Sequence, residues 1–127
     1  MADDDLEDLE IVEDAILNLI PDVELSKVTN GSAVISHLKE LSDHELPQLI
    51  ILDYNMPQMN GLQVLSRMSE TKRYNTIPKI ILSTSGSPKD VRECKQLGAL
   101  EYYVKPNTIA ELNVLVRKMI GLCGINS

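Results

Sequence analysis

An aspartate closes an aliphatic run at Leu49-Ile50-Ile51-Leu52-Asp53, and turn-formers follow at Asn55, Pro57, Asn60 and Gly61. Four consecutive aliphatics, two of them β-branched, read as a strand buried on both faces, as inside a parallel sheet. A carboxylate at the carboxyl end of such a strand lies where open α/β sheets place their ligand crevice. By type it is a weak nucleophile or a hard oxygen ligand, and the plainer alternative is that it caps the loop behind it. Three other stretches carry chemistry-bearing groups. Ala2-Asp3-Asp4-Asp5 is an acidic cluster, Lys79-Ile80-Ile81-Leu82 ends in the hydroxyls of Ser83 and Thr84, and Tyr102-Tyr103-Val104 runs into Lys105-Pro106.

The elements that hold these groups alternate between the two periods. Leu9, Val12, Ile16 and Leu19 recur at helical spacing and stop at Pro21-Asp22, so the early acids sit on a loop entering a helix, whose amino end favours negative charge. From the charge run alone they would read as a solvated tail. Val23 to Val28 is a predicted half-exposed edge strand, and Thr29-Asn30-Gly31 turns the chain into a second helix marked by Val34, Leu38 and Leu41. Ser42 to Pro47 is loop. Leu62, Leu65 and Met68 mark a third helix, a polar loop runs through Asn75, and Ile77-Pro78 leads into the strand Lys79 to Ser83. Ser87-Pro88-Lys89-Asp90 has the pattern of a helix start, with Val91, Cys94 and Leu97 inward and Gly98 placed to end it. Glu101 to Val104 is a short strand, and Thr108-Ile109-Ala110-Glu111 is a capping box opening a last helix through about Leu122. This alternation specifies a doubly wound parallel α/β sheet.

The chain of 127 residues suits one domain, large enough for a core without staples. It has no Trp and no Phe, so that core must be aliphatic. The net charge of −7 is concentrated near the amino end and argues against a nucleic-acid or anionic-membrane surface. No apolar run reaches membrane-spanning length and no secretory pattern is present. Cys94 and Cys123 lack metal spacing, and Cys94 reads as a small core residue, which fits a reducing cytoplasm.

In their order and spacing, the four chemistry-bearing stretches resemble the receiver domain of two-component response regulators, of the stand-alone chemotaxis-regulator type. The resemblance implies a flavodoxin-like fold of strand order 2-1-3-4-5 in a single receiver domain over residues 1–127, with no effector domain. It implies a phosphoprotein in phosphorelay signal transduction. Asp53 would accept a phosphoryl group from a sensor histidine kinase or a histidine phosphotransfer protein, with no enzymatic activity beyond this self-catalysed step and its reversal by hydrolysis. By the same resemblance, Asp4 and Asp53 ligate a magnesium or manganese ion directly, Asp3 does so through water, and the Asn55 backbone carbonyl adds an oxygen. Three carboxylates brought together without a cation would raise one another's pKa, which agrees with a metal. Lys105 pairs with Asp53 and then with a phosphoryl oxygen, and the Lys105-Pro106 bond is expected to be cis. Ser83 is the switch hydroxyl. Tyr102 is the coupled aromatic, or more simply a half-buried core tyrosine. Asn55 and Ser85 stand where the lifetime of the acyl phosphate is tuned. Output would be a protein contact on the face of the fourth helix, last strand and last helix, or onward transfer of the phosphoryl group.

One departure matters. The family's first strand runs directly into its acidic pair, and here only Met1 precedes Ala2. In the order 2-1-3-4-5 that strand is central. The sequence therefore leads to an expectation of repair: upstream residues fill the slot, a second chain enters it in a homodimer, or the sheet closes up with four strands, the last two being favoured. The acidic pair would then hang from an unanchored terminus. Two rival readings remain. A phosphatase of the haloacid dehalogenase type needs a second Asp two residues after the nucleophile, where this chain has Asn55, and a cap domain for which there is no length. A non-phosphorylated pseudo-receiver acting as a docking module would not need Asp53, Lys105 and Ser83 together.

Overall fold

Two aliphatic runs carry the sheet in the computed structural model, which describes residues 1–124. Ile50–Leu52 forms β1 and Lys79–Ser83 forms β2, with every residue of both strands buried. They pair in parallel with Ile51 opposite Ile80. Glu101–Val104 forms β3, which pairs in parallel with the other side of β2, Tyr102 opposite Ile81, and is only half-buried as befits an outer strand. Because side chains alternate across a strand, the two faces receive different residues. Ile51, Ile80 and Leu82 pack with α1 (Leu6–Leu19) and α5 (Ile109–Leu122), whereas Ile50, Leu52 and Ile81 pack with α2 (Gly31–Glu40), α3 (Gly61–Ser69) and Cys94 of α4 (Pro88–Gln96). Helices thus cover both faces, the doubly wound arrangement the alternating pattern specifies.

The central slot next to β1 is held by a single residue. Ala2 bridges Leu52 on one side and Val28 on the other, both in parallel. Its N–H donates to the Ile51 carbonyl at 2.9 Å and its carbonyl accepts from the Asp53 N–H at 2.9 Å. Across the other edge, the Asp3 N–H donates to Val28 at 3.1 Å and the Val28 N–H to Met1 at 3.0 Å. The order read through these pairings is Val28, Ala2, β1, β2, β3, which is the 2-1-3-4-5 sequence with its first two members reduced to one pairing each. This corrects the expectation of a closed-up sheet or an inserted second chain, because residues 1–3 satisfy the inner edges of Val28 and β1 themselves. It also corrects the predicted strand over Val23 to Val28. A ladder needs a partner of equal length, and here only Met1, Ala2 and Asp3 face it, so Val28 alone pairs while Val23 and Leu25 pack as side chains against the α1–α5 layer.

The helix starts follow their caps. The Asp5 side chain accepts from the N–H groups of Glu7 and Asp8 at the start of α1, Asn30 caps α2, and Asn60 and Gln63 form a reciprocal box at α3. Ser87 caps α4 with Pro88 in its first turn, and Gly98 follows that helix at φ 105°. At α5 only half of the predicted box forms: Thr108 accepts from the Glu111 N–H. The two interior layers are aliphatic apart from Tyr74 and the sulfur residues Met56, Met68, Met119 and Cys94.

Candidate functional site

All the chemistry-bearing stretches meet at the carboxyl end of the sheet. Asp53 directly follows β1 and is 7% exposed. Asp3, delivered by the pairing of Ala2 with β1, is fully buried, while Asp4 beside it is exposed. Carboxylate oxygens of Asp3, Asp4 and Asp53 lie within 4.8 Å of one another. Lys105 follows β3, and its N–H donates to the Ser83 carbonyl at 2.7 Å, which fixes the lysine beside the end of β2. Its side chain reaches across the sheet end. Nζ donates to Asp3 Oδ2 at 2.7 Å and to Asp8 Oδ2 at 2.7 Å, and lies 3.6 Å from Asp53 Oδ2. All peptide bonds among the described residues are trans, so the expected cis Lys105-Pro106 bond is not found. The lysine reaches its carboxylates from the trans form, which X-Pro bonds prefer by roughly 0.5–1 kcal/mol.

Electrostatics follow from the burial. Removal from water raises the Asp3 carboxyl, and the Asp53 charge adds to this. The Lys105 hydrogen bond and the Asp5 N–H, 3.0 Å from Oδ1, oppose it, leaving Asp3 at about 6. Burial alone would lower the Lys105 ammonium, but its bonds to Asp3 and Asp8 and the charges of Asp3 and Asp53 outweigh that and hold it above the ordinary lysine range. A permanently charged ammonium therefore sits among carboxylates that outnumber it. That donor set, three carboxylates of hard oxygen with net negative charge, fits a divalent cation such as magnesium or manganese. Asn55 touches the cluster through its N–H, 3.4 Å from Asp53 Oδ1.

Two hydroxyl-bearing residues flank this cluster. Ser83 ends β2 fully buried, and its Oγ has no hydrogen-bond partner among the described residues. A buried hydroxyl left unpaired costs roughly 1–3 kcal/mol. Tyr102, on β3, is half-buried; its hydroxyl donates to the Ser85 carbonyl at 2.6 Å. Its ring lies over the loop between β2 and α4, where a Cβ on Gly86 would come within 2.6 Å of Cε1, and it stands 6.3 Å from the ring of Tyr54. Only glycine at 86 lets the ring rest there.

The family profile of the response regulator receiver domain matches residues 1–117. The chain belongs to that family. It is a receiver domain of two-component response regulators, a signalling module. It is 38% identical over 72 residues to the two-component response regulator ARR9 of Arabidopsis thaliana, covering 57% of this chain and 31% of that protein, so it spans about a third of that relative's length. It is 31% identical over 94 residues to the two-component response regulator ORR3 of Oryza sativa subsp. indica, covering 74% of this chain and 72% of that protein. Its fold matches that of the phosphorylated cyanobacterial phytochrome response regulator RcpA with a TM-score of 0.85 at 24% identity, covering 95% of this chain and 89% of the other. No helix of this receiver domain among the described residues is long and apolar enough to cross a membrane.

The structure brings together Asp3, Asp4, Asp53 and Lys105, with Ser83 beside Lys105 through the backbone and Asn55 against Asp53. Sequence reasoning missed Asp8, which counted only as one acid in a charged stretch. Its signal was its place three residues after the Asp5 cap, the first turn of a helix that starts beside the site.

Proposed function

We propose that Asp53 is the phosphoacceptor of this receiver domain, taking a phosphoryl group from a phosphohistidine on a sensor histidine kinase or a histidine phosphotransfer protein. The observation that carries this reading is Lys105 Nζ within 3.6 Å of the Asp53 carboxylate while anchored on Asp3. In the transfer, an Asp53 carboxylate oxygen attacks phosphorus, the phosphorus–nitrogen bond breaks, and the imidazole keeps its electron pair. Little of this needs covalent machinery; positioning and charge neutralisation carry it. Lys105 pairs with a phosphoryl oxygen, and Ser83 Oγ, unpartnered at rest, donates to another. Asp3, Asp4 and Asp53, with the Asn55 carbonyl, would hold magnesium or manganese, which when bound neutralises charge on the phosphoryl oxygens.

Turning Ser83 toward the phosphoryl group draws on the loop that seats Tyr102, and the α4–β3–α5 face is the surface that changes. Its reader is a downstream protein rather than nucleic acid or membrane, in keeping with the charge of −7. Asn55 and Ser85 tune the lifetime of the acyl phosphate, and the protein turns over no other substrate. Incubation with acetyl phosphate and magnesium should add one phosphoryl group by intact mass, and Asp53→Asn should abolish it. Labelling that survives this substitution would overturn the reading.

A further inference from the structure

The Lys105 ammonium is closer to Asp8 than to Asp53. Its contacts to Asp3 and Asp8 are both 2.7 Å, the length of a charge-assisted hydrogen bond, whereas 3.6 Å to Asp53 is an ion pair without one. Asp8 is held in place for this. It occupies the first turn of α1, where the Asp5 side chain fastens its N–H at 3.3 Å, and the helix amino end favours its charge. The two anchors differ in what release would cost. Asp3 is fully buried, and losing the ammonium would strand its carboxylate away from water, whereas the Asp8 side chain is 30% exposed and water takes over there.

We infer that Asp8 is a positioning residue that draws Lys105 toward α1 in the resting state, and that a phosphoryl group on Asp53 must win the ammonium from it. This rests on Asp53 being the phosphoacceptor. Asp3 keeps its bond in both states, and Asp8 is the contact that yields. Asp8 therefore sets how far the phosphorylation equilibrium lies toward the free protein without touching the reacting atoms.

The test uses phosphoramidate with magnesium, in which the Asp53 oxygen–phosphorus bond forms, the phosphorus–nitrogen bond breaks and ammonia leaves. The phosphorylated fraction is read by intact mass. At sub-saturating donor, Asp8→Ala should raise the ratio of phosphorylated to free protein roughly three- to tenfold, the scale of one partly exposed ion pair. Asp8→Glu, which keeps an anchor, should stay near the parent. Glu7→Gln, which removes an equal charge from the same first turn at an exposed side chain, should do the same. In a Lys105→Met background the gain should vanish. An equal gain there, or from Glu7→Gln, would overturn the inference in favour of general charge. A second arm needs no metal or donor: urea unfolding in chelator of Asp8→Ala, Lys105→Met and the double variant should show a favourable coupling, and zero coupling would overturn the anchoring. A parent that takes no label would overturn the phosphoacceptor reading and this inference with it, whereas a labelled parent unaffected by Asp8→Ala would overturn this inference alone.

Discussion

Asp3 is a carboxylate with no exposed surface, paired on one oxygen with Lys105 and on the other with the Asp5 N–H. Its folded pKa of about 6 lies above the unfolded 3.8, so the folded chain binds the proton more tightly. The sign follows from linkage: this group's contribution is fully present below about 3.8 and is lost as pH rises through about 6. Without divalent cation, the parent should therefore gain stability relative to Asp3→Asn as pH falls from neutrality through that window, by roughly 1–3 kcal/mol. Urea unfolding of both proteins across the range checks it, and a pH-independent difference would contradict it. At this scale the sequence located the polar residues at strand ends, Asp53 and Ser83 on the buried β1 and β2 and Lys105 after the half-buried β3. It was silent on Asp8, because an acid in a helix's first turn is ordinary and only the approach of the β3–α5 connection gives it a partner.

At the scale of elements, the loop between β2 and α4 runs from the end of β2 to the ring of Tyr102. Ser83 begins it, Ser85 accepts the Tyr102 hydroxyl, and Gly86 leaves room for the ring. Gly86→Ala would set a methyl 2.6 Å from Tyr102 Cε1, so the ring must swing away and give up its hydrogen bond. The expected cost is about 1 kcal/mol of stability, with shifted Tyr102 ring resonances in the unphosphorylated protein. Unchanged resonances would mean the loop does not seat the ring. Helix starts were legible here because capping is local: Ser87 and Thr108 each cap as their side chains dictate, while Asn30, read as a turn residue, caps α2 as well. The strand over Val23 to Val28 was not, because pairing belongs to two segments and its neighbour offers only Met1 to Asp3.

For the whole molecule, the narrowest point is Ala2. Both of its hydrogen bonds tie it to the β1 side while its neighbours Met1 and Asp3 make the bonds to Val28, and the same residue leads directly into Asp3 and Asp4 at the site. Its donor bond to Ile51 is the one a proline would remove, with a clash in a central position besides. Ala2→Pro should cost roughly 3 kcal/mol or more and weaken magnesium binding in calorimetric titration, the two losses together. Stability equal to the parent's would show that the pairing of Ala2 is dispensable. The doubly wound α/β architecture was readable in the sequence from periodicity alone; how its centre closes was not, since it depends on three residues satisfying both neighbouring edges.

The proposed function depends on one bond, the acyl phosphate at Asp53. The most direct measurement is reductive trapping: treat the phosphorylated protein with borohydride, which converts an aspartyl phosphate to homoserine, and map the modified residue by peptide mass spectrometry. Homoserine at position 53, dependent on both the phosphodonor and the divalent cation, is the predicted result. Homoserine at another acid, or none in a protein shown to be folded and magnesium-loaded, would contradict it.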